Sequence, residues 1–379
     1  MTFIQQSRNL FVSIAVLTTL GCAQTPDIEV SQSTNAYTTS LVTNGIAIPW
    51  GMTWLNETDL LVSDKLGSLR IVRNGKLLEE PISGLPAISI NGQGGLLDVE
   101  VDPNYAQNGW IYFAYSGFEG ESEGFNTSVM RAQLENMALV NQQVIFDGEP
   151  NSDKRQHFGS RLSFDNEGYL YITIGDRGER DIHPQRLDRD AGKVHRIYPD
   201  GSIPSTNPFV DNADANNSIY SYGHRNPQGM AVHPVTGKIW THEHGPRGGD
   251  EINLLQAGAN YGWPIITFGR NYIGTEITDK TEMEGMMQPQ WQWTPSIAPS
   301  GMLFVTSDRY PQWQGKMLVG SLKFGYLLLM EMDGEQVVSQ SIALEDVGRL
   351  RSISQGPDGY IYVGTDGTGI FKIVPRDAG

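Results

Sequence analysis

Arg161-Leu-Ser-Phe-Asp-Asn-Glu-Gly-Tyr-Leu-Tyr-Ile-Thr173 reads as two short strands joined by a tight turn. Side chains alternate between apolar and polar, so each strand buries one face at a time. Asp165-Asn-Glu-Gly168 between them has the residue types of a turn. The unit recurs. Gly51-Met-Thr-Trp-Leu55 leads through Asp59-Leu-Leu-Val-Ser63 to Gly67-Ser-Leu-Arg-Ile-Val72, and Leu96-Leu-Asp-Val-Glu-Val101 leads to Trp110-Ile-Tyr-Phe-Ala114. Gly229-Met-Ala-Val232 precedes Lys238-Ile-Trp-Thr241, Gly301-Met-Leu-Phe-Val305 precedes Lys316-Met-Leu-Val-Gly320, and Arg351-Ser-Ile-Ser354 precedes Tyr360-Ile-Tyr-Val-Gly364. A third strand often follows, as in Gly192-Lys-Val-His-Arg-Ile197 and Gly369-Ile-Phe-Lys-Ile-Val374. Six copies of a strand–turn–strand unit, at periods of about 45 to 70 residues, predict an all-β chain folded as a six-bladed β-propeller. The competing arrangement is a β-sandwich with insertions, which regular spacing of the turns disfavours. A propeller must close its ring, and Tyr37 to Ile48 is expected to supply the outer strand of the C-terminal blade. No long amphipathic pattern suggests an α/β fold, and residues 37–375 read as one domain.

Composition agrees. In 379 residues, 43 Gly and 20 Pro favour many short strands and turns over long helices. The formal net charge of -16 excludes nucleic acid as a partner, since phosphate binding needs clustered cations. The acidity serves solubility and can also gather cations such as calcium.

The amino terminus stands apart. Leu10-Phe-Val-Ser-Ile-Ala-Val-Leu17 is too short to span a bilayer and fits the apolar core of a secretory leader, giving a signal peptide over residues 1–21. Cys22, the single cysteine, follows directly. Its position resembles a lipoprotein cleavage site with the lipid on Cys22, although Thr19 replaces the usual aliphatic residue; the alternative is ordinary cleavage after Ala23. Either route exports the chain to the periplasm, with a lipid tether to a membrane in the first case. One cysteine allows no intrachain disulfide. Residues 22–36 read as a flexible tether.

Chemistry collects where apolar runs end. Gly92-Gln-Gly-Gly-Leu-Leu97, His157-Phe-Gly-Ser-Arg161, Ile174-Gly-Asp176, Tyr222-Gly-His-Arg-Asn-Pro-Gln-Gly229, Gly245-Pro246 with Asp250-Glu-Ile-Asn253, Asn260-Tyr-Gly-Trp-Pro264, Ser321-Leu-Lys323 and Arg349-Leu-Arg351 occur in that order. In a propeller, loops on one end converge on the central channel, so one site assembled from distant segments links them. Through essentially the whole mature chain, this series resembles the soluble pyrroloquinoline-quinone-dependent glucose dehydrogenases, and more closely their aldose sugar dehydrogenase relatives.

The resemblance implies roles. His157 matches the general base for the sugar's anomeric hydroxyl, and a neutral imidazole suits that task. Asp176 matches the carboxylate that orients it. Gln93 matches a residue placing cofactor and substrate at the reacting carbon. Arg225 matches the cation facing the quinone carbonyl where negative charge develops during hydride transfer. Asn226, Lys323, Arg349 and Arg351 match groups holding the oxygens and carboxylates of pyrroloquinoline quinone, for which Arg offers bidentate geometry. The backbone carbonyls of Gly245 and Pro246 match ligands of a Ca2+ ion, which takes hard oxygens. Implied partners are an aldose sugar, oxidised to its lactone, and an external electron acceptor. The oligomeric state is not readable from sequence.

The chain also departs from the family pattern. Gln156 stands where the glucose dehydrogenases have Asp before the catalytic His, which removes a carboxylate from the sugar pocket. Their substrate-stacking Trp aligns with Thr294, and Trp293 lies one position off and receives no role. The short loop from Gly117 to Thr127 points to an open pocket with broad substrate range. Plainer readings hold for other residues. His224 suits a structural loop hydrogen bond, His242 and His244 lack the partner spacing of a zinc site, and Asp211–Asn217 reads as an Asx-rich surface loop. Glu243, Asp250 and Glu251 suit capping of loop amides and neutralisation of Arg247. Lys323 and the two arginines could equally pair with surface acids. Two other functions compete: a non-catalytic propeller that binds sugar or protein, and a calcium-dependent propeller lactonase. The first would lose the cations that this chain retains, and the second would need side-chain carboxylates around an ion, which no motif supplies.

Overall fold

A computed structural model describes residues 36–118 and 123–376. The leader, Cys22 and nearly all of the tether lie outside the described residues. Six four-stranded antiparallel sheets make up the described chain. Blade 1 holds Pro49–Trp54, Asp59–Asp64, Ser68–Arg73 and Lys76–Leu77; blade 2 holds Leu96–Val101, Trp110–Gly117, Asn126–Glu135 and Ala138–Asp147. Blade 3 holds Leu162–Phe164, Leu170–Ile174, Lys193–Ile197 and Ile219–Tyr222; blade 4 holds Pro227–Val232, Ile239–Glu243, Asp250–Leu254 and Trp291–Trp293. Blade 5 holds Pro299–Phe304, Met317–Ser321, Leu327–Asp333 and Gln336–Leu344. Blade 6 holds Leu350–Gln355, Ile361–Thr365, Gly369–Pro375 and, on its outer edge, Tyr37–Thr43. The fold is a six-bladed β-propeller, as the repeats predict. The single helix among the described residues, Tyr105–Asn108, is one turn long.

The turn that opened the sequence reading shows why each unit folds locally. The Asp165 carboxylate accepts from the amides of Glu167 and Tyr169, both at 2.9 Å, and Gly168 takes φ +85°, which a side chain would disfavour. Asp358 repeats the device in blade 6, accepting from the Tyr360 amide at 3.1 Å.

Closure is by mixed termini. Tyr37 pairs with Pro375 and Leu41 with Phe371, so the N-terminal strand completes the last blade. Tyr37 packs its ring 4.5 Å from that of Trp313 and 5.1 Å from that of Tyr310, which fixes the join with apolar area as well as a ladder. Six buried clusters fill the six joins between neighbouring blades. Leu61, Ile71, Val99 and Phe113 seal blade 1 to blade 2, and Met52, Val62, Tyr362 and Ile370 seal blade 6 to blade 1. The first strands of successive blades touch in a closed ring and line the channel.

All six first strands begin at one end of that channel. Five of them break register at their start, for example between Pro49 and Gly51 and between Pro227 and Gly229. Because second strands run antiparallel to the first, they end where the first strands start. Each blade therefore delivers two segments to the same mouth.

Candidate active site at one mouth of the channel

Blade 3 supplies the centre. His157 precedes its first strand, and Asp176 follows its second strand by two residues. His157 Nδ1 lies 2.6 Å from Asp176 Oδ1. The same oxygen accepts from the Gly178 amide at 2.7 Å, and Oδ2 accepts from Trp263 Nε1 at 2.7 Å. These donors hold Asp176, 1 % exposed, as a carboxylate: burial raises its pKa, and the contacts with His157, Arg225 and Gly178 outweigh that and leave it below the ordinary value. An ionised carboxylate only accepts, so Nδ1–H of His157 donates and Nε2 is left as the basic nitrogen. Burial lowers the pKa of His157 despite the pull of Asp176, and the charges of Arg225 and Arg177 lower it further. The imidazole is therefore neutral near pH 7, as a general base requires.

The loop carrying His157 is held from three sides. Its amide donates to Gln93 Oε1 at 2.8 Å, and the Gln93 amide donates to Arg155 O at 2.7 Å. Gly92 takes φ +61° and presses on the Arg155 carbonyl, so a Cβ there would collide with backbone. The Gly159 amide donates to Asn226 Oδ1 at 3.1 Å. Arg177, fully buried, lays its guanidinium 3.5 Å from the centroid of the Phe158 ring and donates to Lys154 O at 2.6 Å. Those contacts maintain His157 at φ +57°, a conformation uncommon for residues with a side chain.

Blade 4 faces this group. Arg225 donates from one guanidinium nitrogen to His244 O at 2.7 Å and Gly245 O at 2.9 Å, and its Cζ lies 5.4 Å from the Trp263 ring centroid. The Glu243 carboxylate accepts from the Arg225 amide and from His224 Nδ1, so His224 is structural, as its setting suggested. Asp250 accepts from the amides of Gly245, Ile297 and Ala298. Arg247 is exposed and directs its guanidinium to Tyr272 O instead of those acids. A cavity of about 350 Å³ opens here, with His157, Asp176, Arg225, Pro246 and Trp263 in its wall and Gln156 and Tyr272 at its side.

Lys323, Arg349 and Arg351 stand on blades 5 and 6 and do not line that cavity. Lys323 Nζ donates to Ser296 O at 3.0 Å, and the Ser296 hydroxyl donates to Asp250 Oδ2 at 2.7 Å, which ties Lys323 to the Gly245 turn. Arg351 forks onto both oxygens of Asp366, at 3.1 and 2.8 Å, and Arg349 donates to Asp366 Oδ2 at 3.0 Å and to Leu322 O at 3.0 Å. The pairing with an acid that sequence left open is thus realised for both arginines, through a single shared carboxylate.

The donor set fits a flat polyanion: Arg225, Lys323, Arg349 and Arg351 carry four positive charges at one mouth, with Asp366 the carboxylate shared by two of them. Calcium is a different matter. Among the described residues no group of three or more His, Cys, Asp or Glu is arranged for a metal. Gly245 O already accepts from Arg225, so two neutral carbonyls cannot make a six-to-eight-oxygen site by themselves. They suit the ion only where a bound ligand contributes further oxygens.

Sequence reasoning missed Arg177, Lys65 and Asp366, and gave no role to Trp263, which it quoted only within the motif Asn260-Tyr-Gly-Trp-Pro264. Lys65 and Asp366 occupy matching places: each follows the residue that pairs with the start of its blade's first strand, Asp64 with Pro49 and Thr365 with Leu350. Alignment of the repeats against one another would have brought both out. Trp293 is 4 % exposed, packs in the join between blades 4 and 5 and donates to Gln340, a structural part.

Comparison with known proteins places this architecture. The family model for Glucose / Sorbosone dehydrogenase matches residues 46–372. The Aldose sugar dehydrogenase YliI of Escherichia coli is 41% identical over 337 residues, covering 87% of this chain and 90% of that protein. The Quinoprotein glucose dehydrogenase B of Acinetobacter calcoaceticus is 27% identical over 412 aligned positions, covering 85% of this chain and 83% of that one. The crystal structure of the soluble aldose sugar dehydrogenase from Escherichia coli in its apo-form superposes with a TM-score of 0.86 at 38% identity, covering 90% of this chain and 100% of that one.

Proposed function

The chain belongs to the Glucose / Sorbosone dehydrogenase family, and on that premise we propose that it oxidises aldose sugars to lactones with pyrroloquinoline quinone and calcium, passing electrons to an external acceptor. The observation carrying this reading is that one mouth unites a neutral, carboxylate-oriented imidazole, His157 with Asp176 at 2.6 Å, and a ring of cations suited to a tricarboxylate. The relative from Acinetobacter, a quinoprotein by name, supports the quinone.

His157 Nε2 takes the proton of the anomeric hydroxyl. Asp176 stabilises the imidazolium that forms, and Trp263 Nε1 and the Gly178 amide keep that carboxylate from turning away. Arg225, fixed by the carbonyls of His244 and Gly245, places positive charge beside the reacting centre. Lys323, Arg349, Arg351 and Asn226 would hold the cofactor, Gln93 would set its position against His157, and Gly245 and Pro246 would share a calcium ion with it. When bound, the quinone supplies the two-electron oxidant. Gln156 at the cavity wall, where related enzymes carry Asp, favours aldoses beyond glucose. Export to the periplasm, with a lipid on Cys22, is part of the same proposal.

Reconstitution tests it. Purified protein given pyrroloquinoline quinone and calcium should show quinone absorbance in the protein fraction and reduce an artificial dye with glucose and other aldoses. Absence of both quinone binding and dye reduction would reject the proposal.

A further inference from the structure

Five blades contribute a side chain given a role in the proposed function: Gln93 leads into blade 2, His157 and Asp176 belong to blade 3, Arg225 to blade 4, Lys323 to blade 5, and Arg349 and Arg351 to blade 6. Blade 1 lies between blades 6 and 2 and contributes Lys65, on the turn after Asp59–Asp64. Its Nζ donates to Gly92 O at 2.9 Å, one residue from Gln93, whose side chain holds the His157 amide. Toward blade 6, Arg351 is close enough for its charge to act on the ammonium. Lys65 therefore bridges the gap between the imidazole side of the mouth and the arginine side.

Among the described residues no carboxylate forms an ion pair with this lysine. The nearby carboxylates are Asp64 and Asp366. Asp64 spends its oxygens on the amides of Ala47, Ile48 and Leu66, and Asp366 is forked by Arg351 and shared with Arg349. Half-buried, the Lys65 ammonium has its pKa lowered by burial and then by the Arg351 charge, against the pull of Asp366 and Asp64. Three cations thus crowd one shared carboxylate, an arrangement that costs free energy until an anion arrives.

We propose that Lys65 is a further binding residue of this mouth, donating to a carboxylate of the bound quinone between Gln93 and Arg351 and completing the ring of cations through blade 1. This rests on the quinone reading above.

The experiment is a titration of the full-length protein with pyrroloquinoline quinone, followed by tryptophan fluorescence, for wild type, Lys65→Met and Lys65→Arg. The expected result is a Kd about tenfold weaker in Lys65→Met, with a shallower dependence on salt, and recovery to within about threefold in Lys65→Arg. Equal melting temperatures of the three apo-proteins would confirm that loss of the ligand contact, and not of the fold, is being read. An unchanged Kd in Lys65→Met while wild type binds overturns the assignment of Lys65 alone. Loss shared equally by Lys65→Arg overturns it too, since that variant keeps the charge. Wild type that fails to bind overturns both this inference and the quinone reading.

Discussion

At one mouth of the channel, loops present His157, Arg225, Lys323 and Arg351; at the other, the far ends of the same first strands present Met52, Met230, Met302 and Phe304 around Glu100. The far cavity is the larger, about 490 Å³ against about 350 Å³, yet it holds no imidazole–carboxylate pair and no ring of cations. Of its two acids, Asp98 is paired with Arg161, while Glu100, to which the Thr53 hydroxyl donates, is pushed up to about 7 by burial. Between the two mouths sits a plug. Arg161 pairs with Asp98 at 2.9 Å, donates to Gln228 O at 3.0 Å and lies 4.3 Å from the Trp50 ring centroid. The difference shows that volume is a poor guide to function in this fold. Inside the strands, the ladder and the neighbouring blades dictate apolar side chains. Where strands give way to loops, backbone and polar side chains are free to converge on a ligand.

Variants on either side of the plug can break that contrast. The largest effect is expected from His157→Ala, which should lower kcat by about 10³-fold with the cofactor still bound; near-wild-type turnover would remove His157 as the base. Asp176→Asn should lower kcat by about 10²-fold, since an amide no longer fixes the Nδ1–H tautomer, and the acid limb of the pH–rate profile should shift with it. Arg351→Gln should act on affinity instead, weakening quinone binding about tenfold at unchanged fold stability.

The far mouth should respond least. Glu100→Gln is expected to leave kcat/KM within about twofold. Its effect is on stability. The folded pKa of about 7 exceeds the unfolded value of 4.5, so the folded protein holds an extra proton between them. Wild-type stability consequently falls as pH rises from 4.5 through about 7. Glu100→Gln should melt about 2–4 °C above wild type at pH 8 and together with it at pH 4. A rate loss in this variant would mean that the two mouths communicate through Arg161.

The propeller was legible because its repeats carry local instructions: alternation in each strand and an Asp or Gly at each turn, as in Asp165 and Gly168. Ring closure was legible because Tyr37–Thr43 is a strand with no neighbour in sequence to pair with. His157, Asp176, Arg225 and the arginine pair could be singled out because each sits in a motif of unusual chemistry. Lys65 and Asp366 were not, because a charged residue near Gly in a hairpin turn is what any turn contains, and the pair stands out only when the repeats are laid against one another. Trp263 lies in the long excursion between Asp250–Leu254 and Trp291–Trp293, where no periodicity fixes direction. Arg177 defeated the reading in another way, since an arginine is ordinarily placed at the surface and this one is sealed inside.

The closing strand also sets how the molecule can be mounted. Gly369 begins the third strand of blade 6 near the reactive mouth and Pro375 ends it at the far face, where Tyr37 pairs with it. Both ends of the described chain therefore depart from the side away from His157. A linkage made through either one, to a lipid, a fusion partner or an electrode, would orient the reactive opening outward and leave it unobstructed.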